Sequence, residues 1–155
     1  MLLNVTENLE IGAAPAEVWK LMNDTVRLAA LVPGVEEASR IEGAEQESYH
    51  VRVTEKVGPF KVTMKLEVTV TERVEPSIVG ASVKGGDAKG MGRATGTIGV
   101  RLAPMELGTA LTGTVNVEVL GKLATLGAPV IRRRVTELFG EFGRRVVAEF
   151  QAGEA

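Results

Sequence analysis

The sequence predicts an α+β fold in which a seven-stranded curved antiparallel sheet surrounds a long C-terminal helix, with two short helices after the first strand. Two observations predict it. From residue 128 to residue 150, apolar side chains recur at gaps of three and four, the spacing of one face of a helix. Upstream, apolar and polar residues alternate in seven segments, as in strands with one buried and one wet face. A helix of that length needs a long apolar surface, and a curved sheet supplies one.

The first third of the chain predicts one strand followed by two short helices. Apolar and polar residues alternate from residue 3 to residue 11. Pro15 begins the first helix, since proline is well tolerated in the first helical turn. The second helix spans residues 26–31 and ends before Pro33, because the residue that precedes a proline is disfavoured in helical geometry.

Glu7 interrupts the apolar face of the first strand. One interpretation is a carboxylate near the end of the strand that reaches water. The other is a polar anchor inside a cavity, where a carboxyl group without hydrogen bonds would be costly. The sequence leaves both interpretations open.

Six further strands are predicted before the long helix. The fourth strand is the clearest, because every second residue from Phe60 to Val70 is apolar. Gly58-Pro59 makes a tight turn before it. With no linker or repeat in the sequence, we expect one domain over residues 1–151 and a short tail over residues 152–155. The six predicted strands cover residues 35–41, 49–57, 60–71, 79–83, 94–102 and 111–119.

Composition excludes several classes of function. The chain has 155 residues and no cysteine, which excludes disulfides and thiolate metal sites, and its net charge of -2 gives no general attraction for nucleic acid. No apolar run approaches the roughly 20 residues of a membrane span. The first residues lack the basic and long apolar regions of a signal peptide. We therefore expect a cytoplasmic protein without a nucleic-acid partner, whose contact with a membrane is peripheral.

Few residues could support catalysis or hold a cofactor. His50 is the only histidine, and strand parity predicts it on the wet face of the sheet. A zinc site would lack His and Cys ligands. The glycines between residues 90 and 96 miss the spacing of a dinucleotide-binding loop, and a strand follows them instead of a helix. We therefore expect no catalytic residue, no metal and no cofactor.

Four short motifs follow one another along most of the chain: Ala-Pro-Ala-Glu-Val-Trp at 14–19, Leu-Val-Pro-Gly-Val at 31–35, Val-Gly-Pro-Phe at 57–60 and Gly-Lys-Leu-Ala-Thr-Leu-Gly at 121–127. In these motifs the sequence resembles the carbon monoxide dehydrogenase CoxG family. That family belongs to the SRPBCC, or START-like, superfamily of lipid-transfer proteins and plant allergens, which share the helix-grip fold. The resemblance implies a hydrophobic cavity between the sheet and the C-terminal helix. It also implies a role beside a molybdenum carbon monoxide dehydrogenase or a related hydroxylase, in membrane recruitment or in handling a lipid or quinone.

On this resemblance we expect the protein to bind a hydrophobic small molecule, lipid-like or quinone-like, without catalysing a reaction. It would be accessory to a carbon monoxide dehydrogenase or a related molybdenum hydroxylase. Two alternatives stay open. An enzyme of the cyclase or aromatase type would need inward polar groups such as Glu7, Tyr49 or Asn116 to converge in the same cavity. A recruitment module would have a filled core and no ligand.

Strand parity and helical phase predict which side chains form the wall of such a cavity. The pattern does not separate the residues that would contact a ligand from those that contact each other, and Trp19 also fits the core. The predicted wall consists of Trp19, Leu28, Leu31, Val53, Met64, Leu66, Val83, Ile98, Leu111, Val115, Val135, Phe139 and Phe142.

Three consecutive arginines, Arg132, Arg133 and Arg134, fall in the first turns of the predicted C-terminal helix. Positive charge at a helix start opposes the helix dipole. One interpretation is a solvated patch that carboxylates on the strands, or Glu137, compensate. The other is a basic rim beside the cavity mouth that meets anionic lipid headgroups or an acidic partner.

Overall fold

A computed structural model describes residues 1–152 of the chain, which fold into seven strands and three α-helices. The predicted α+β architecture is confirmed, with one strand and two short helices before the remaining strands and the long helix. In chain order the elements are β1 (Leu2–Ile11), α1 (Pro15–Met22), α2 (Thr25–Ala30), β2 (Val35–Arg40), β3 (Ser48–Val57), β4 (Phe60–Val74), β5 (Ile78–Gly86), β6 (Arg93–Met105), β7 (Gly108–Leu120) and α3 (Ala128–Ala152).

The element boundaries differ from the predicted ones by a few residues. β5 continues to Gly86, beyond the predicted end at residue 83, because Gly85 and Gly86 pair with neighbouring strands although they have no side chains to show alternation. A 3₁₀ turn at Lys122–Leu126, which the sequence did not predict, leads into α3. α3 includes Ala152, where we expected the tail to begin, and residues 153–155 lie outside the described part of the chain.

The seven strands form one antiparallel sheet with the order β1-β7-β6-β5-β4-β3-β2. Hairpins join β3 to β4, β4 to β5, β5 to β6 and β6 to β7, whereas β1 closes the sheet against β7. Gly96 on β6 marks strong curvature, because a Cβ atom there would collide with the carbonyl oxygen of Asn116 on β7. The sheet therefore curls into a concave surface that α3 can cover.

α3 lies closest to the β1–β7 side of this concave surface. A Cβ atom on Gly143 of α3 would stand 3.0 Å from Leu9 Cδ1 on β1. A Cβ atom on Gly113 of β7 would stand 2.5 Å from Phe139 Cε2 on α3. These glycines let helix and sheet approach where they meet. Gly143 lies on α3 and Gly113 lies on β7. Tight packing between the helix and the sheet explains why each of these positions is a glycine.

Two packed cores occupy the ends of the concave surface. At one end, α1 buries Trp19 and Met22 against Leu111 of β7 and Val146 of α3. At the other end, the β3–β4 hairpin, the 3₁₀ turn and the start of α3 enclose a second cluster that includes Leu123. A smaller buried cluster on β4 and β5 contains Val68, Ala81 and Val83. The space between these clusters is where the candidate site lies.

Candidate functional site

An apolar cavity of about 350 Å³ lies between the concave face of the sheet and the helices α2 and α3. That volume falls within the range of small-molecule sites in proteins, roughly 300–1,000 Å³. Strands β1, β4, β5, β6 and β7 form its floor, and α3 forms its roof. It is lined by Val5, Glu7, Met22, Thr25, Leu28, Val32, Val68, Val70, Val79, Ala81, Ile98, Gly99, Val100, Gly113, Thr114, Val115, Val135, Leu138, Phe139 and Phe142.

Ile98 is one of the large aliphatic residues that line this cavity, and it is partly exposed. Ile98 is paired with Ala81 on β5 and Val115 on β7, in the row of residues whose side chains face α3. Ile98 nevertheless keeps 36% of its surface exposed. Leu111 of β7, whose side chain lies on the same face of the sheet, is 0% exposed. A large aliphatic side chain under a helix would be buried if the gap were closed. Ile98 also lines a second depression, described below, so its exposed surface reports on both spaces.

Glu7 is the single ionisable residue among those that line the cavity. It lies within β1, opposite Gly113 of β7, and not at the strand end. Its side chain is partly buried, and Oε1 accepts a hydrogen bond of 2.8 Å from the hydroxyl of Thr136 on α3. The structure thus places this carboxylate at the junction of sheet, helix and cavity. Glu7 lines the cavity with a hydrogen-bonded carboxylate, as the polar-anchor interpretation expects, and its exposed hydrogen bond to Thr136 also leaves it in reach of water.

Ion pairs hold the helices over the cavity. Arg27 of α2 donates from Nη2 to Glu149 of α3 at 3.2 Å, on the surface. Arg134 of α3 donates to Glu55 of β3 at 2.6 Å, and this carboxylate is only 15% exposed. The hydrogen bond to Glu55 raises the pKa of Arg134, so the guanidinium stays charged at any physiological pH. The second pair therefore anchors α3 to the far side of the sheet, opposite its close contact with β1.

A polar cluster ties the α1–α2 junction to the sheet beside the cavity. The Glu47 carboxylate accepts hydrogen bonds from Tyr49 and Arg73, both at 2.8 Å, and from Thr25, which lines the cavity, at 3.4 Å. Burial opposes ionisation of Glu47, but the hydrogen bond from Tyr49 and the charge of Arg73 outweigh it and lower the pKa of the carboxyl. Burial raises the pKa of the Tyr49 hydroxyl. The cluster is internally satisfied, which points to positioning of α2 and not to chemistry.

The structure brings together part of the predicted cavity wall. Six of the predicted residues line the cavity: Leu28, Ile98, Val115, Val135, Phe139 and Phe142. The other seven predicted residues do not line the cavity and fall into two groups. Trp19 and Leu111 are packed in the core beneath α1, with Leu31 against it. Val83 is buried on β5 with Leu66 beside it, while Val53 and Met64 form a cross-strand pair nearer the β3–β4 turn.

Several lining residues were not among the predicted ones. Val68 and Val70 of β4, Ala81 of β5 and Val100 of β6 face the cavity. They share strand parity with the predicted residues, so parity alone could have found them. Which stretch of each strand lies beneath the gap depends on the placement of α3, which alternation does not encode.

The three arginines of the predicted basic rim differ in their surroundings. Arg132 and Arg133 are exposed on the first turns of α3. Arg134 departs from the expectation of a free rim charge, because it is half-buried and paired with both Glu55 and Glu137. For Arg134, the structure therefore favours the interpretation in which Glu137 and carboxylates on the strands compensate the arginines.

A second depression, of about 600 Å³, lies on the convex face of the sheet over Gly80 and Gly99. Its sides include the hydroxyl-bearing residues Thr97 and Thr112, and no second layer of structure within residues 1–152 covers it. An apolar ligand would remain largely in water there. The concave cavity is therefore the better candidate for binding a hydrophobic molecule.

The residues that line the cavity include one titratable group, Glu7. A general acid–base pair needs two titratable groups within reach of one substrate, and the lining offers Glu7 alone. His50 is exposed on β3, away from the cavity. Within residues 1–152, His, Asp and Glu side chains form no cluster that could hold a metal ion. None of the helices in this part of the chain combines the length and apolarity needed to cross a membrane.

Comparison with known proteins identifies both a family and a fold. The family model for the carbon monoxide dehydrogenase component CoxG matches residues 8–148. A conserved protein from Geobacillus kaustophilus has a similar structure, with a TM-score of 0.83 and 23% sequence identity over 97% of this chain and 96% of that chain. No curated protein matches this sequence.

Two more distant structures extend the comparison. A START superfamily protein from Mycobacterium smegmatis has a TM-score of 0.71 and 12% identity over 96% of this chain and 97% of that one. The aromatase/cyclase ZhuI from Streptomyces sp. R1128 has a TM-score of 0.66 and 13% identity over 96% of this chain and 93% of that one. At such identities the likeness shows the fold alone, and it confirms the predicted helix-grip fold.

Proposed function

Since the chain belongs to the carbon monoxide dehydrogenase CoxG family, we propose that it binds a lipid-like or quinone-like hydrophobic molecule in the cavity under α3 and catalyses no reaction. The observation that carries this proposal is the gap itself, of about 350 Å³, whose lining is mostly aliphatic and aromatic. A ligand in this gap would cover side chains that the fold leaves exposed, and burial of apolar surface is the main driving force for such association.

The lining supports binding by shape and apolar contact. Its walls are mostly aliphatic, with the tilted ring pair of Phe139 and Phe142, whose centroids are 5.9 Å apart, on the α3 side. Burying roughly 200 Å² of ligand surface would contribute about 5 kcal/mol, before the cost of immobilising the ligand. The lining, with Glu7 as its one titratable group, favours this function over a cyclase.

The same family membership supports an accessory role beside a carbon monoxide dehydrogenase or a related molybdenum hydroxylase, in the cytoplasm or at the inner face of the membrane. In this proposal the protein supplies or removes a hydrophobic partner molecule for the enzyme. No residue of this chain identifies the enzyme, so the proposal for the partner rests on the family match.

A cluster of cations supports peripheral contact with an anionic membrane. The β3–β4 turn contacts the 3₁₀ turn, since a Cβ atom on Gly58 would lie 3.4 Å from Leu126, and Leu123 N donates to Met91 O of the β5–β6 connection at 2.8 Å. One end of the fold thus gathers exposed cations from four segments. We call this surface the basic end; it comprises Lys56, Lys61, Lys89, Lys122, Arg132 and Arg133.

The cations of the basic end form no salt bridge with the described residues. Lys56 and Lys61 even face each other across the β3–β4 pair, an arrangement that disfavours folding. Four of the six cations are lysines, which are depleted in the cores of protein–protein interfaces and act as hydrated point charges. These properties suit the diffuse charge of a lipid surface better than a shaped protein partner.

Native mass spectrometry of the freshly purified protein tests the binding function. We expect a mass increment of one hydrophobic molecule per chain, which organic extraction of the same sample recovers. A protein that carries no such molecule and takes up none when incubated with long-chain lipids or quinones would refute the proposal.

A further inference from the structure

Resting on the proposed binding function, we propose that Glu7 selects the head group of the ligand: a neutral hydrophobic molecule with a hydroxyl group is favoured, and a fatty acid is rejected. Glu7 takes the place of an apolar residue in the inward row of β1, between Val5 and Leu9, and it alone brings a charge to the cavity lining.

The hydrogen bonds of the Glu7 carboxylate determine which ligand groups can contact it. An ionised carboxylate accepts hydrogen bonds and donates none. Thr136 donates to Oε1 at 2.8 Å, and within residues 1–152 no other side chain donates to this group. The rest of its acceptor capacity has no side-chain donor among residues 1–152, and Glu7 is one of the residues that line the cavity. A ligand that covers Glu7 therefore satisfies it only by donating a hydrogen bond.

The space beside Glu7 offers no group that could balance a second negative charge. Its cross-strand neighbour is Gly113, and the ring of Phe139 lies over that glycine. Apart from the hydroxyl of Thr136, the cavity beside Glu7 is lined mostly by aliphatic and aromatic side chains, and no cation among the described residues lines it to balance a second negative charge. A fatty acid head group would meet like charge without compensation, whereas an alcohol would find its acceptor.

The ligand that fits these surroundings is a neutral hydrophobic molecule with a hydroxyl group at one end. The apolar wall holds a hydrocarbon body, and Glu7 fixes the end that carries a hydroxyl, as in a long-chain alcohol, a prenol or a phenol-type molecule. A methyl ether of the same length lacks the donor and leaves the carboxylate unsatisfied. Sites built around a hydrogen-bond partner reject such analogues strongly, and we expect a smaller effect here because Glu7 is only partly buried.

Displacement of the neutral fluorophore N-phenyl-1-naphthylamine by 1-decanol, decyl methyl ether and decanoate at pH 8 tests the proposal. For the wild-type protein we expect decanol to bind about tenfold more tightly than either analogue, the loss typical of one hydrogen bond to a charged group. In Glu7→Leu the preference for decanol over the ether should disappear. In Glu7→Gln, which keeps the shape but removes the charge, decanoate should gain about tenfold.

Two control variants separate ligand selection from fold stability. Thr136→Val removes the internal donor but keeps the carboxylate, so the preference for decanol should persist. Glu118→Gln removes an exposed carboxylate of the neighbouring strand β7 and should leave all three affinities unchanged. Suppose that the wild type binds the fluorophore normally but binds decanol and its methyl ether equally. This result would overturn the proposed role of Glu7 and leave the proposed binding function standing. Failure of the wild type to bind the fluorophore and all three ligands would overturn the binding function and this inference with it.

Discussion

Replacement of Ile98 by phenylalanine tests whether the space beneath α3 is vacant. Ile98 faces α3 from β6, keeps 36% of its surface exposed and borders a cavity of about 350 Å³. An aromatic ring at this position can enter the gap without displacing a packed neighbour. If the ring buries roughly 40 Å² more apolar surface than isoleucine does, the free energy of unfolding rises by about 1 kcal/mol.

Leu111→Phe is the matched control. Leu111 is 0% exposed on β7 and belongs to the core packed under α1. Both substitutions replace a four-carbon side chain by the same ring, so they differ in their surroundings and not in their chemistry. Overpacking a filled core typically costs about 1–3 kcal/mol. The two variants should therefore change the free energy of unfolding in opposite directions.

Urea unfolding measures this difference. Trp19 is the only tryptophan and is 5% exposed, so its fluorescence should report the loss of the core, with circular dichroism as a second probe. Ile98→Phe should also weaken binding of N-phenyl-1-naphthylamine at least tenfold, because the ring occupies the ligand's space. If Ile98→Phe is destabilised as much as Leu111→Phe, the cavity is already filled and the account of Ile98 is wrong.

Two further predictions concern charged groups. The lowered pKa of Glu47 means that its contribution to stability is complete above the ordinary value of 4.5 and is lost as the pH falls through the lower pKa of the folded state. Glu47→Gln should therefore lose stability at pH 7 and show a flatter acid limb in thermal unfolding; an unchanged acid limb would contradict the assignment. Simultaneous replacement of Lys61, Lys122 and Arg132 by glutamine should lower partition onto phosphatidylglycerol vesicles about 100-fold, at about 1 kcal/mol per charge. Neutral phosphatidylcholine vesicles and Arg101→Gln, an exposed cation on β6, serve as controls; equal binding by all variants would exclude the basic end.

The fold could be predicted because alternation and helical spacing are local properties of the sequence. The inward row of β4, from Phe60 to Val70, defines one face of a strand without reference to any other element. The same rule placed Val115 and Ile98 on the concave side, where the structure has them. Glycine-rich segments were harder, since Gly85 and Gly86 extend β5 through backbone pairing that leaves no pattern in the side chains.

The extent of the cavity could not be predicted, because it depends on where α3 approaches the sheet. The contact between Gly143 and Leu9 and the contact between Gly113 and Phe139 fix α3 near β1 and β7. The helix consequently leaves its gap above the middle of β4, β5 and β6. Met64 has the parity of a wall residue, but it lies too far along β4 to line the gap.

The charged residues show the same limit of sequence reasoning. Arg134 follows two exposed arginines in the sequence, yet the phase of α3 turns it toward Glu55 of β3, a residue 79 positions away. Glu7 could be recognised as an anomaly on an apolar strand face. Its partner, Thr136, becomes visible only when α3 is laid across β1. Long-range pairs of this kind carry no periodic signal in the sequence.

Intermolecular nuclear Overhauser effects between 1-decanol and isotope-labelled isoleucine methyl groups test the central claim most directly. Ile98 lines the cavity, whereas Ile11 and Ile131 are buried in the two packed cores. The account predicts strong effects to the Ile98 methyl groups and none to those of Ile11 and Ile131. Effects to other isoleucines, such as the partly exposed Ile41 after β2, without effects to Ile98 would contradict it.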